Sequence, residues 1–281
     1  MTTKETEFIC KEPAFRIAAK IWNPHLSKNI FAFHGWMDNA ASFDFLAPLL
    51  ADRSLIAYDL PGHGRSTRAS SYCYHLTEYF LAMYQLLESE RHPILMGHSL
   101  GGALASMYAG VFPEKIRALI LLDGLGPLTE DESLLPERLA RFLQLRTRSE
   151  GPERPVSRDA VIRRRMEINQ ISFASAEALM DRNLIPAVED MRTWSMDLTL
   201  RLPSPFRFTE SQVLSVLRKI ACPTLLIKTD EEQGLSAFLE SRRPAVKTLE
   251  IVEVKGCHHV HMEQPKMVAD IIQSFLKKHD L

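Results

Sequence analysis

Residues 92–110 read His-Pro-Ile-Leu-Met-Gly-His-Ser-Leu-Gly-Gly-Ala-Leu-Ala-Ser-Met-Tyr-Ala-Gly. Pro93–Met96 is apolar on consecutive positions, as a strand buried on both faces is. From Leu100 onward the apolar residues fall three and four apart, the spacing of a helix. Between the two lies Gly97-His98-Ser99-Leu100-Gly101, a G-x-S-x-G pattern. A strand that gives way to a helix over so few residues must pass through strained backbone angles. The flanking glycines remove side chains that would collide, and the turn lifts the serine hydroxyl out of the sheet. Ser99 then stands at the positive end of a helix, where a developing oxyanion is stabilised.

Outward from this turn the same rhythm repeats. Arg16–Trp22, Asn29–Phe33, Ser54–Tyr58, Arg117–Leu122, Thr224–Lys228 and Leu249–Val254 are further apolar runs closed by turn residues. Leu76–Glu88 and Pro265–Lys278 carry helical spacing, the latter opening on Pro and closing on Lys as helix ends favour. Strands alternating with helices predict an α/β fold with a mostly parallel sheet. The rhythm stops between about residues 126 and 221, where amphipathic segments separated by prolines and no clear strand predict a helical insertion. Residues 137–165 hold nine arginines against four acids. Such a run is either a solvated basic face or a lid that attracts anionic substrates.

Composition narrows the function classes. The 281 residues carry 34 Lys+Arg against 35 Asp+Glu, with 46% hydrophobic residues. That balance fits a globular chain with a sizeable core and disfavours a nucleic-acid binder, which needs a surplus of basic residues. Four scattered cysteines (Cys10, Cys73, Cys222, Cys257) form no disulfide framework, and the polar start offers no secretory h-region. No run reaches the ~18 apolar residues of a membrane span. A cytoplasmic location is therefore expected.

A serine needs a base to take its proton. Gly256-Cys257-His258-His259-Val260-His261 follows the last strand, and His258, directly after a Gly-x-His turn, is the candidate that reaches across the carboxyl edge of the sheet toward Ser99. The same cluster of one Cys and three His invites a metal reading, but its spacing matches no ordinary zinc site and no second cluster lies nearby, so no metal is expected. The acid that orients the imidazole has two candidates. Asp123 closes the apolar strand RALILLD, and Glu232 lies just past PTLLIK; both fall at strand carboxyl ends. The chain after Phe33 turns at Gly35, so the amide of Trp36 and that of Leu100 are the expected oxyanion-hole donors. His34 reads as a brace for that loop. Asp59–Ser66, DLPGHGRS, has glycines but lacks the ending of a phosphate loop and reads as a structural turn. Trp36, Met37, Phe43, Phe142 and Trp194 are candidate walls of an apolar acyl pocket.

Taken in order, HGWMDNAASFD (34–44), DLPGHGRS (59–66), GHSLGG (97–102) and GCHHVHMEQP (256–265) resemble the α/β-hydrolase superfamily over nearly the whole chain. HGWMDNAASFD, LLD, LLIK and VEVKGCHHVHMEQP are most similar to the serine hydrolase-like protein family. The resemblance implies an eight-stranded, mostly parallel sheet with a helical cap after the sixth strand. The core would comprise 1–126 and 216–281, and the cap 127–215. It implies Ser99 as nucleophile and His258 as base. Many superfamily members place the acid after the seventh strand, at Glu232 here, but Thr229 replaces a usual glycine and the serine hydrolase-like pattern has no dependable acid there. Asp123 is therefore favoured, with Glu232 the alternative. A serine at the elbow, unlike the aspartate of haloalkane dehalogenases and epoxide hydrolases, implies acyl transfer to water. The expected activity is hydrolysis of a carboxylic ester of a small or medium acyl substrate. A thioester, lactone, amide or C–C bond cleaved by the same triad, or a non-catalytic binding module on the same fold, are the alternatives. No cofactor is implied. The expected partner is the acyl substrate, with no nucleic acid and no membrane span; a homodimer is left open.

Overall fold

A computed structural model of the chain describes residues 2–11, 15–68, 74–148, 153–230 and 233–281. In chain order, β1 (Thr3–Cys10), β2 (Phe15–Trp22), β3 (Asn29–Phe33) and β4 (Ser54–Tyr58) precede α1 (Leu76–Leu87). Then come β5 (Ile94–His98), α2 (Leu100–Val111) and β6 (Ala118–Leu122). The insertion follows, with α3 (Leu135–Arg148), β7 (Val156–Ser157), α4 (Arg158–Asn169), α5 (Phe173–Asn183), β8 (Leu184–Pro186) and β9 (Met191–Trp194). Helix α6 (Glu210–Leu217), β10 (Thr224–Thr229), α7 (Gln233–Ser241), β11 (Leu249–Val254), α8 (Val260–Glu263) and α9 (Pro265–Lys278) complete the chain.

The eight long strands form one sheet in the order β1-β2-β4-β3-β5-β6-β10-β11. β1 and β2 pair antiparallel, as do β2 and β4, and every later pair is parallel. The consecutive apolar runs have a direct physical cause. Phe31, Phe33, Leu95, Leu119, Leu121 and Leu226 enter the core on one face, while Ile30, Ala32, Met96, Ile120, Leu122 and Ile227 enter the core on the other. Side chains alternate between faces along a strand, so burial on both sides demands apolar residues at every position. Helix α2 is buried from Gly101 to Gly110, and α9 buries Val268, Ala269, Ile272, Phe275 and Leu276 against the opposite face.

The insertion differs from its sequence reading in one respect. Where helices and no clear strand were expected, residues 187–197 form a turn and β9, which with β7 and β8 makes a three-stranded antiparallel sheet. Two- to four-residue strands are too short for a period-2 pattern to register against helical spacing. Ile162, Ile171, Ala176, Leu179, Met180 and Leu184 form a small core in the insertion that Met262 of α8 joins from the main body. Arg182 of α5 anchors it below, donating to both oxygens of buried Asp59 (2.9 and 3.0 Å). That carboxylate also accepts the amides of Ala40 (2.7 Å) and Arg65 (2.8 Å), so the centre of the 59–66 loop is filled by its own aspartate and the loop is a structural turn. No helix among the described residues is long and apolar enough to cross a membrane.

Candidate active site

Ser99 sits between β5 and α2 with φ 50° and ψ −111°, a conformation a non-glycine residue adopts only when its surroundings impose it. The surroundings are backbone. A Cβ on Gly97 would lie 2.3 Å from the Gly101 carbonyl carbon and oxygen, and one on Gly101 would lie 1.9 Å from the carbonyl oxygen of Phe33. Only glycine permits that approach, which lets the Gly101 amide donate to the carbonyl of His34 (3.0 Å) and the Ser99 amide to that of Leu122 (3.0 Å). The elbow is thereby tied to both neighbouring strands.

Asp123 directly follows β6, also at positive φ (50°), and is 2% exposed. Its Oδ2 accepts from His258 Nδ1 at 2.6 Å. Two further donors hold it: the amide of Thr229 to Oδ1 and the hydroxyl of Thr229 to Oδ2, each at 3.1 Å. Thr229 ends β10, the strand beside β6, so parallel pairing delivers both donors. Ser99, Asp123, His258, Trp36 and Leu100 all line one cavity of about 930 Å³. Glu232 lies outside the described residues. Leu100 is the first residue of α2, so its amide has no i−4 carbonyl within the helix to bond.

Of the expected apolar walls, Trp36 and Phe142 line the cavity. Met37, Phe43 and Trp194 are not among the described lining residues: Phe43 is sealed in the core beneath the sheet, and Trp194 packs within the insertion. Trp36 is 53% exposed and ties the main body to the insertion through Nε1, which donates to the carbonyl of Leu200 (2.9 Å).

Beneath His258 lies a second constellation. Buried Asp38 accepts from His259 Nε2 (3.2 and 3.3 Å) and from Arg165 of α4. His98 donates Nε2–H to the carbonyl of His258 (2.9 Å), and its Nδ1 stands 3.3 Å from Asp38. Burial alone would raise the Asp38 pKa; the charges of His259 and Arg165 reverse this and hold it well below the usual range. Burial pushes His98 down to about 4, although Asp38 opposes the shift. His261, driven down in the same way, bonds the Ser42 hydroxyl at 2.7 Å. His34 fulfils its bracing role, donating from Nδ1 to the Gly35 carbonyl (2.7 Å) and accepting the Leu60 amide at Nε2 (2.9 Å).

Ligand atoms of Asp38, His98 and His259 lie within 4.8 Å of one another, the set among the described residues best placed to hold a metal. One observation disfavours it: the Arg165 guanidinium already bonds one oxygen of Asp38 and brings a positive charge to the place a cation would take. Neither Cys257 nor His261 belongs to the set. Sequence reading missed Thr229, Asp38 and His98. Asp38 lies inside HGWMDNAASFD and Thr229 closes the apolar run PTLLIK, but nothing local in the chain marks either as a partner of these residues.

A sequence model described as the alpha/beta hydrolase family matches residues 30–271. A serine hydrolase-like protein of Dictyostelium discoideum is 31% identical over 94% of this chain and 80% of its own length. Serine hydrolase-like protein 2 of Homo sapiens is 31% identical over 94% of this chain and 92% of its own. The crystal structure of a hypothetical protein from Pseudomonas aeruginosa superimposes with a TM-score of 0.89 at 31% identity, covering 98% of this chain and 99% of that one. With a serine elbow, a histidine on the last loop and the sheet order above, the chain belongs to the alpha/beta hydrolase family.

Proposed function

We propose that this hydrolase cleaves carboxylic esters of small or medium acyl groups through a triad of Ser99, His258 and Asp123. The bond of 2.6 Å between Asp123 and His258 Nδ1, in one cavity with the strained Ser99, carries the reading. Asp123 fixes the ring with its proton on Nδ1, so Nε2 is the basic nitrogen. Ser99 Oγ attacks the carbonyl carbon while its proton passes to Nε2. The tetrahedral oxyanion is held by the amides of Trp36 and Leu100; one such donor contributes about 2.7–4 kcal/mol in comparable sites. The C–O bond to the leaving alcohol then breaks as Nε2 returns the proton to it. Water, deprotonated by the same nitrogen, hydrolyses the acyl-enzyme and regenerates Ser99. The insertion, taken as 127–215, acts as the cap that shapes the acyl site.

Intact mass after incubation with a fluorophosphonate tests this. One phosphonyl adduct is expected on the wild type and none on Ser99→Ala. A folded wild type that takes no adduct overturns the reading.

A further inference from the structure

The charges around the cavity are one-sided. Arg138, Arg141, Arg201 and Arg207 all line it, and the lone acid among the described lining residues is Asp123, whose carboxylate is committed to His258 and Thr229. Arg138 is neutralised by Glu130. Arg141, Arg201 and Arg207 have no carboxylate within salt-bridge distance among the described residues, while Arg165 and Arg182 of the insertion are paired with buried Asp38 and Asp59. Within the basic run of residues 137–165, Arg165 ties the insertion to Asp38, and Arg138 and Arg141 line the cavity.

Two of the three unpaired guanidinium groups ride on a fixed strap. Residues 199–207 line the cavity without a break, with Pro203 and Pro205 restricting the backbone, and the strap runs on to Phe208. The Leu200 carbonyl is held by Trp36 Nε1 (2.9 Å), that of Ser204 by Arg138 Nη1 (3.0 Å) and that of Phe208 by the Glu130 amide (3.1 Å). Arg201 also stacks on the Trp194 ring, 5.5 Å from its centroid. Arg207 is lowered from its ordinary value by burial and by the like charge of Arg138, which together outweigh the attraction of Glu130, a carboxylate already bonded to Arg138. Below the strap, Phe142, Leu145, Phe238 and Tyr79 supply an apolar wall.

We infer that the substrate carries a terminal oxyanion, a phosphate or carboxylate on an apolar chain, which Arg201 and Arg207 of the 199–208 strap bind with Arg141 facing them. Guanidinium forks match such oxyanions with two parallel hydrogen bonds, and a strap already pinned at three carbonyls loses little freedom on binding. The inference names the substrate class of the ester site proposed above and rests on that assignment.

Calorimetric titration of the full chain with hexyl phosphate, adipate and hexanol reads binding without needing turnover. At low salt at least one of the two anions is expected to bind about tenfold more tightly than hexanol, the order of one well-formed charge-assisted contact. That advantage should shrink between about 0.01 M and about 1 M salt, where the screening length falls from about 30 to about 3 Å. Arg207→Gln and Arg201→Gln should each reduce it several-fold. Tighter hexyl phosphate assigns the anion to a phosphorylated carrier or leaving group; tighter adipate assigns it to a carboxylate-ended acyl chain. Equal binding of all three, no binding of any, or an advantage that survives both variants overturns the inference. A labelled Ser99 with no anion preference sinks this inference alone. Anion preference without labelling sinks the ester reading and leaves the anion site standing.

Discussion

Two histidine–aspartate pairs lie on either side of the loop after β11, and they differ in what each is allowed to reach. Asp123 and His258 meet at the cavity that Ser99 also lines: the carboxylate is sealed, but the His258 side chain is 23% exposed. Asp38 meets His259 and His98 one layer down, where all three are buried and a guanidinium from the insertion completes the charge balance. The chemistry of the groups is the same. Access separates them: in the proposed triad His258 passes protons to and from substrate and must touch it, whereas a buried pair can only hold its neighbours in place. His98 links the two, since its Nε2–H fixes the carbonyl of the very residue whose ring faces the cavity.

Replacing each aspartate by asparagine should therefore give opposite phenotypes. Asp123→Asn removes the charge that holds the His258 tautomer, and kcat for a chromogenic ester should fall by about 10⁴-fold, as it does in the best-studied triad. Asp38→Asn leaves Arg165 and His259 facing a neutral amide in the interior. Breaking a buried pair costs about 3–5 kcal/mol, so its thermal midpoint should drop on the order of 10 °C while Ser99 is still labelled by fluorophosphonate. Loss of labelling in Asp38→Asn at unchanged stability would show that the buried constellation takes a direct part in the chemistry.

The accessible pair was legible in the sequence and the buried one was not. Ser99 and His258 announce themselves because each follows a glycine turn at the end of an apolar run, a local pattern. Asp123 could be set against Glu232 only by analogy, since choosing between them requires knowing that β6 and β10 are neighbours, a non-local fact. Asp38, His98 and Arg165 come from three distant segments, and no spacing along the chain brings them together. The first strand was missed for a different reason. β1, TKETEFIC, pairs over its full length with β2 yet buries only Cys10, so an edge strand reads as a polar leader. Burial on two faces writes a strand into the sequence; β1, polar and unburied except at Cys10, carries no such run.

The buried side of the comparison also predicts an acid response. His34 and His98 are held down at about 4 and His63 at about 3, each chiefly by burial. In the unfolded chain such rings titrate near about 6.5. Between those values the unfolded state binds protons that the folded state refuses, so this stability is complete above about pH 6.5 and is lost as the pH falls toward 4, at about 1.4 kcal/mol per pH unit for each histidine. Asp38, depressed as a carboxylate, adds its own loss only below about pH 4. Denaturant titrations at intervals from pH 7.5 to 4.5 should show the slope. An unfolding free energy that stays flat across that range would mean that these rings are protonated in the fold.

The smallest effect isolates what Thr229 does for the accessible pair. Asp123 Oδ2 takes two bonds, one from His258 Nδ1 at 2.6 Å and one from the Thr229 hydroxyl at 3.1 Å, while Oδ1 takes the Thr229 amide. Thr229→Val is nearly isosteric and β-branched, so β10 and the amide bond persist and only the hydroxyl donor is lost. One net hydrogen bond is worth about 1 kcal/mol, which sets the expected fall in kcat at about five-fold. A hydroxyl that merely fills space would leave the pH dependence of kcat/KM unmoved. A donor to the carboxylate shares its charge with the imidazole, so without it the bond from the Nδ1 proton to Asp123 changes. The limb of the pH–rate profile that reports His258 should move with it, and Thr229→Ser, which restores a hydroxyl, should bring both the rate and the limb back. If Thr229→Ser behaves as Thr229→Val does, the second donor plays no part in positioning the acid, and the amide of residue 229 with the ring of His258 suffices to hold Asp123.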